Sequence, residues 1–183
     1  MDPRLRVITV CTHNRTRSVL MAGLLGHHAA QAGLDVDITS TGFVEAGLPP
    51  TDRTVRLLKR AGIDLSTHRS SRVGGEAPPA TDLILTAERS HVVSLASRWP
   101  SLFDITFTLP EAVERGDEIG ARGDRDTREW IADLGGARPS RLTYLDDRRV
   151  GQVADPTGRA PAEWKRAFSV IDELTNRLVA LLA

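Results

Sequence analysis

The sequence predicts an α/β fold built on a parallel sheet covered on both faces, and two observations carry that reading. From Arg4 to Val10, the apolar residues Leu5, Val7, Ile8 and Val10 are too continuous for a half-exposed strand and suit one buried on both sides. After it, strand-like and helix-like segments alternate along the chain, as βαβ units do.

Each element has its own signal. Ser18 to Gln31 places Leu20, Leu24 and Leu25 at helical spacing, with Gly33 positioned to cap the end. Asp35 to Thr41 alternates around Val36 and Ile38 and turns at Gly42, giving a second strand. Leu48 to Asp52 is a loop with a helix N-cap candidate; Val55, Leu57, Leu58 and Ala61 then form a helix stopped by Gly62. Asp64 to Arg72 is polar and basic, and Gly74 to Pro79 reads as a loop. Asp82 to Thr86 is a third buried strand, followed by a helix from Arg89 to Ser97 with Val92, Val93 and Leu95 apolar. Ile105 to Leu109 is the fourth strand. Glu114 to Gln152 is charged and glycine-rich, a surface excursion or a lid, with one helical candidate from Asp126 to Leu134 anchored by Trp130 and Ile131. From Ala162 to Leu182, Phe168, Ile171, Leu174, Leu178 and Leu181 recur at three- and four-residue spacing, a long amphipathic helix closing the fold.

A chain of 183 residues with 40% apolar content fits one domain, expected to span 1–183 with the excursion at about 114–152. Basic and acidic residues balance at 24 each, so no global field draws nucleic acid or an anionic membrane. No apolar run approaches the roughly 20 residues that span a bilayer. Met1 to Pro3 leads straight into a strand without a signal peptide, so the expected location is cytoplasmic. Cys11 is the single cysteine; it cannot form an internal disulfide, which suits a reducing compartment. His27 and His28 share a helix with no third ligand nearby, so they read as a partly exposed helical face in preference to a metal site.

The chemistry concentrates in Cys11-Thr12-His13-Asn14-Arg15-Thr16-Arg17-Ser18. This stretch joins the tip of the first strand to the start of a helix, where open parallel sheets bind ligands, helix N-termini bind anions and thiols acidify. The five residues between Cys11 and Arg17 can wrap a loop whose N–H groups converge on one anion, making Thr12 to Ser18 a candidate phosphate cradle. Arg17 offers a planar fork for two phosphate oxygens. Ser18 can donate to a thiolate or serve as an N-cap; Asn14 can tie the loop together or occupy a turn; Cys11 is a nucleophile or a small buried hydrophobe. A thiolate attacking a phosphoester needs an acid for the departing oxygen. The candidates are Asp104, Asp146, Asp147 and Asp155; Pro156 stiffens the loop of the last, which otherwise reads as a helix-entry turn.

These residues resemble the low-molecular-weight protein tyrosine phosphatases, whose pattern Cys-x-x-Asn-x-x-Arg-Ser is met by Cys11, Asn14, Arg17 and Ser18, and whose late Asp-Pro loop is met by Asp155-Pro156. The likeness extends to Ser40-Thr41-Gly42, to the segment from Gly62 to Ser70, and to Phe107-Thr108-Leu109. It implies a three-layer fold with a four-stranded parallel sheet flanked by helices on both faces, and neither metal nor cofactor. It also implies hydrolysis of a phosphorylated protein or small phosphomonoester through a phosphocysteine, with Cys11 as nucleophile, Arg17 as clamp and Asp155 as acid. His13 stands where the family usually has Gly, Thr16 replaces a second Cys, and Thr157 replaces an aromatic residue after Pro156. Two other readings stay open: an arsenate reductase using an external small thiol, and a phosphate-binding regulatory domain without turnover.

Overall fold

Strand β1 (Leu5–Cys11) lies at the heart of a four-stranded parallel sheet, between β2 (Val36–Gly42) and β3 (Leu83–Thr86), with β4 (Thr106–Thr108) beyond β3. The computed structural model describes residues 4–78, 80–136, 138 and 140–183. Met1 to Pro3 and Pro79, expected as a lead-in and a loop end, and Ala137 and Pro139 of the expected excursion, lie outside the described residues.

The unbroken apolar run of β1 is explained by what covers it. Leu5 and Val7, with Leu83, Leu85 and Phe107 of the neighbouring strands, join a core with Leu20, Leu24, Ile171 and Leu178. Those last residues belong to α1 (Arg17–Ala32) and α7 (Pro161–Leu182). Val10 and Ile84 face the other way, onto Val73 and onto Leu95 of α3 (Arg89–Arg98), with Ile8 packed beside them. Both faces are buried, giving three layers. The edge strand β2 alternates in burial, as its sequence does. α1 closes on Gly33 at φ 70°, the left-handed turn expected of a C-cap glycine, and α2 (Asp52–Arg60) starts on Thr51, whose hydroxyl accepts the Thr54 N–H.

The second half departs from expectation. β4 ends at Thr108, and Leu109 opens α4 (Leu109–Ile119) instead of ending the strand. Thr108 and Glu111 form a reciprocal capping box there, and Pro110 sits in the first turn, where its missing N–H costs nothing. Leu109, Ala112 and Val113 are buried in the core while the charges of Glu114 to Glu118 cover the outer face. α5 (Thr127–Gly135) matches the expected helix and buries Trp130 completely. At the end of the short α6 (Arg141–Tyr144), Tyr144 is also fully buried, against Phe103, Val92 and Ala96. Among the described residues no helix is long and apolar enough to cross a membrane.

Candidate active site

β1 delivers Cys11 to the carboxyl edge of the sheet, where the residue is 3% exposed. The loop then turns through Asn14, which at φ 52° is the non-glycine residue with positive φ among those described. Asparagine tolerates that conformation, and its side chain is fully engaged in holding it. Nδ2 donates to Ser18 Oγ at 3.0 Å and to Ser40 Oγ at 2.9 Å, while Oδ1 accepts the Ser71 N–H at 2.8 Å. His68 Nε2 lies 3.1 Å from the Asn14 carbonyl. Because Asn14 donates to Ser18, the Ser18 hydroxyl proton is free to point at Cys11 Sγ, 3.1 Å away. Among the described residues, the backbone N–H groups of Thr12 to Thr16 donate to no protein acceptor. N–H groups left free at a helix start form an anion nest.

Gly42 makes the loop possible from below. A Cβ there would stand 2.8 Å from both the Asn14 nitrogen and the Thr12 carbonyl oxygen, too close for any other residue. Thr12 is fixed from two sides, its carbonyl by the Phe43 N–H at 2.8 Å and its hydroxyl by His91 Nε2 at 3.1 Å. The Phe43 and His91 rings are themselves stacked, with centroids 5.4 Å apart. Burial, partly opposed by the Glu88 carboxylate, pushes His91 down to about 4, so the ring is neutral at ordinary pH.

Arg17 is the first residue of α1 and is 2% exposed. Its Nη2 donates to Asp155 Oδ2 at 3.0 Å and Nη1 to the Val153 carbonyl at 3.2 Å; Nη1 also pairs closely with Glu88. Burial alone would push the Glu88 carboxyl up, but the hydrogen bond and charge of Arg17 hold it below the usual carboxylate range. The Asp155 loop reaches the sheet because the Val153 N–H bonds the Ala87 carbonyl at 2.9 Å, just past β3. Asp155 Oδ1 accepts the Thr157 N–H at 2.9 Å, an Asx turn stiffened by Pro156. Of the four candidate acids, Asp155 is the one in contact with Arg17; Asp147 instead pairs with Arg149.

The remaining loop residues divide between anchoring and rim. Thr16 takes the N-cap position of α1, and its hydroxyl lies 3.4 Å from that of Thr51. Ser18, whose alternative reading was that same cap, lies inside the helix and faces Cys11. Arg15 Nε bonds the Pro49 carbonyl at 2.8 Å, and His13 turns outward to Glu45 at 3.1 Å. His28 pairs with Asp172 at 2.9 Å, away from the loop. Glu88 and His91 are the site residues that sequence reading missed. The available signal was their position directly after β3, at the same sheet edge as Cys11.

Residues 6–111 match the family described as low molecular weight phosphotyrosine protein phosphatase. A protein-arginine-phosphatase of Bacillus subtilis (strain 168) is 33% identical over 136 residues, 70% of this chain and 90% of that protein. The low molecular weight protein tyrosine phosphatase from T. tengcongensis superposes with a TM-score of 0.72 at 28% identity, over 97% of this chain and 99% of that one. A YwlE arginine phosphatase mutant with a phosphorylated active-site serine gives a TM-score of 0.71 at 25% identity, over 96% and 94% of the two chains. The matched span takes in β1, the Cys11 loop and all four strands, and the shared fold extends through the Asp155 loop to α7: the chain belongs to the low molecular weight phosphotyrosine protein phosphatase family.

Proposed function

We propose that the chain hydrolyses phosphorylated protein side chains in two steps through Cys11. The Cys11 thiolate attacks phosphorus and forms the S–P bond as the bond to the leaving atom breaks; the departing atom takes its proton from Asp155. The resulting Asp155 carboxylate then draws a proton from water, which attacks the phosphocysteine and releases inorganic phosphate and the thiolate. Arg17 and the loop N–H groups hold the phosphoryl oxygens in both steps, and the Ser18 hydroxyl, freed by Asn14, steadies the thiolate. The observation that carries this reading is that one guanidinium, Arg17, lies on the Cys11 loop and binds the Asp155 carboxylate.

The relatives named above are phosphatases of arginine and of tyrosine, and this supports hydrolysis over thiol-dependent arsenate reduction. Thr157 supplies no aromatic wall after Pro156, and Phe43 is stacked on His91. Peptides bearing phosphotyrosine and phosphoarginine should therefore be assayed side by side with p-nitrophenyl phosphate. Turnover should vanish in Cys11→Ser while inorganic phosphate still binds; undiminished turnover in that variant overturns the mechanism.

A further inference from the structure

Helix α2 begins at the rim of the Cys11 loop, and the first turns of α7 lie beside it. The Thr51 N–H, at the start of α2, donates to the Arg15 carbonyl at 3.0 Å, and α7 starts at Pro161, shortly after the Asp155 loop. Between these helices runs a groove of about 650 Å³ with Trp164 and Phe168 in its wall. Four cations line it, Arg53, Arg56, Arg60 and Lys165, and among the described residues no carboxylate does. Arg53 lies over the Trp164 ring at 5.5 Å.

This is an imbalance in a chain with no net charge. Elsewhere Arg6, Arg128, Arg138, Arg149 and Arg177 each pair with a carboxylate, whereas among the described residues none of the four groove cations does. Arg53, Arg56 and Arg60 follow three- and four-residue spacing and so share one helix face. At 1.5 Å per residue they cover about 10 Å, the reach of roughly three extended residues.

We propose that this groove receives an acidic segment of the protein substrate, a few residues along the chain from its phosphorylated side chain. The inference rests on the hydrolase reading above. A protein segment fits better than RNA, because the cations are confined to one groove beside the loop and do not form a basic stripe across a chain of balanced charge. The aromatic wall gives the segment a surface to lie against while the cations fix its register and speed its capture.

The test compares two phosphopeptides, one with glutamates on both flanks and one with alanines, on the full chain and on the triple variant R56E/R60E/K165E. The expected result is a kcat/KM about tenfold higher for the acidic peptide at low salt. That preference should be lost in the variant, with p-nitrophenyl phosphate turnover unchanged. Equal kcat/KM for the two peptides, or a preference that survives in the variant, overturns the proposal. Fluorescence anisotropy of the labelled acidic peptide is read in parallel. Absent p-nitrophenyl phosphate turnover counts against the hydrolase reading, while loss of anisotropy binding in the variant still supports the groove. An RNA oligonucleotide that binds where the acidic peptide does not also overturns it.

Discussion

Arg17 Nη2 donates to Asp155 Oδ2 across 3.0 Å, joining the proposed phosphate clamp to the proposed acid. Asp155 holds the guanidinium plane in place before substrate arrives, and Arg17 keeps the carboxylate over the loop; each is preorganised by the other.

Asp155→Asn keeps an acceptor for Arg17 and removes the proton. Its kcat on p-nitrophenyl phosphate should fall by about 10²- to 10⁴-fold, with the inhibition constant for inorganic phosphate little changed. Asp155→Ala should weaken phosphate inhibition as well, since Arg17 loses a partner. Matching phosphate affinities in the two variants would show that Asp155 does not position Arg17.

His91 acts on Thr12, the residue after Cys11. His91→Ala removes both the hydroxyl contact and the Phe43 stack, and should lower kcat/KM by about tenfold, with much of the loss in phosphate affinity. His91→Gln, which can still reach the hydroxyl, should recover part of it. A purely structural role would instead lower the melting temperature and leave kinetics of the folded fraction untouched.

Glu88 makes stability depend on pH. Arg17 holds its folded-state value under that of the unfolded chain, so its contribution is complete above the unfolded value and is lost as pH falls through the folded one. Melting temperatures should therefore drop on acidification from about pH 5 to pH 3, and Glu88→Gln should flatten the decline. Parallel curves for the two proteins would exclude this source.

The buried ion pair of Glu111 with Arg138 anchors the second half. Nε lies 2.9 Å from Oε1, the Tyr144 hydroxyl donates to the same carboxylate, and the guanidinium lies over the Phe103 and Phe107 rings at 4.2 and 4.4 Å. Glu111→Leu leaves the Arg138 charge buried without a partner, at a cost of about 3–5 kcal/mol in urea unfolding. A loss under about 1 kcal/mol would mean that water reaches Arg138.

What could be read in advance followed from local pattern. Leu5 to Val10 announced a doubly covered strand, whereas Cys11 and Arg17 drew attention through their place between a strand and a helix, and Asp155, a helix-entry turn by pattern alone, stood out through the family resemblance. The second half hid its packing. In α4, Glu111, Glu114, Arg115, Asp117 and Glu118 outnumber the apolar Leu109, Ala112, Val113 and Ile119, and Gly116, where an added Cβ would stand 2.7 Å from Leu181 Cδ1, interrupts the apolar stripe for the sake of close helix contact. The capping box of Thr108 and Glu111 was the readable sign. Glu88 and His91 escaped notice because each acts through a partner distant in sequence, Arg17 and Thr12, and no local spacing encodes such a contact.

Gly42 pairs with Cys11 in the parallel ladder of β1 and β2 and lies under the loop that follows. A slip of one residue would bring Thr41 or Phe43 beneath that loop and turn the inner face of β2 outward. Correct strand alignment and a competent anion cradle thus require each other in the folded chain. A misaligned chain cannot pass as a weak enzyme, so recovered catalytic activity after refolding counts correctly registered molecules.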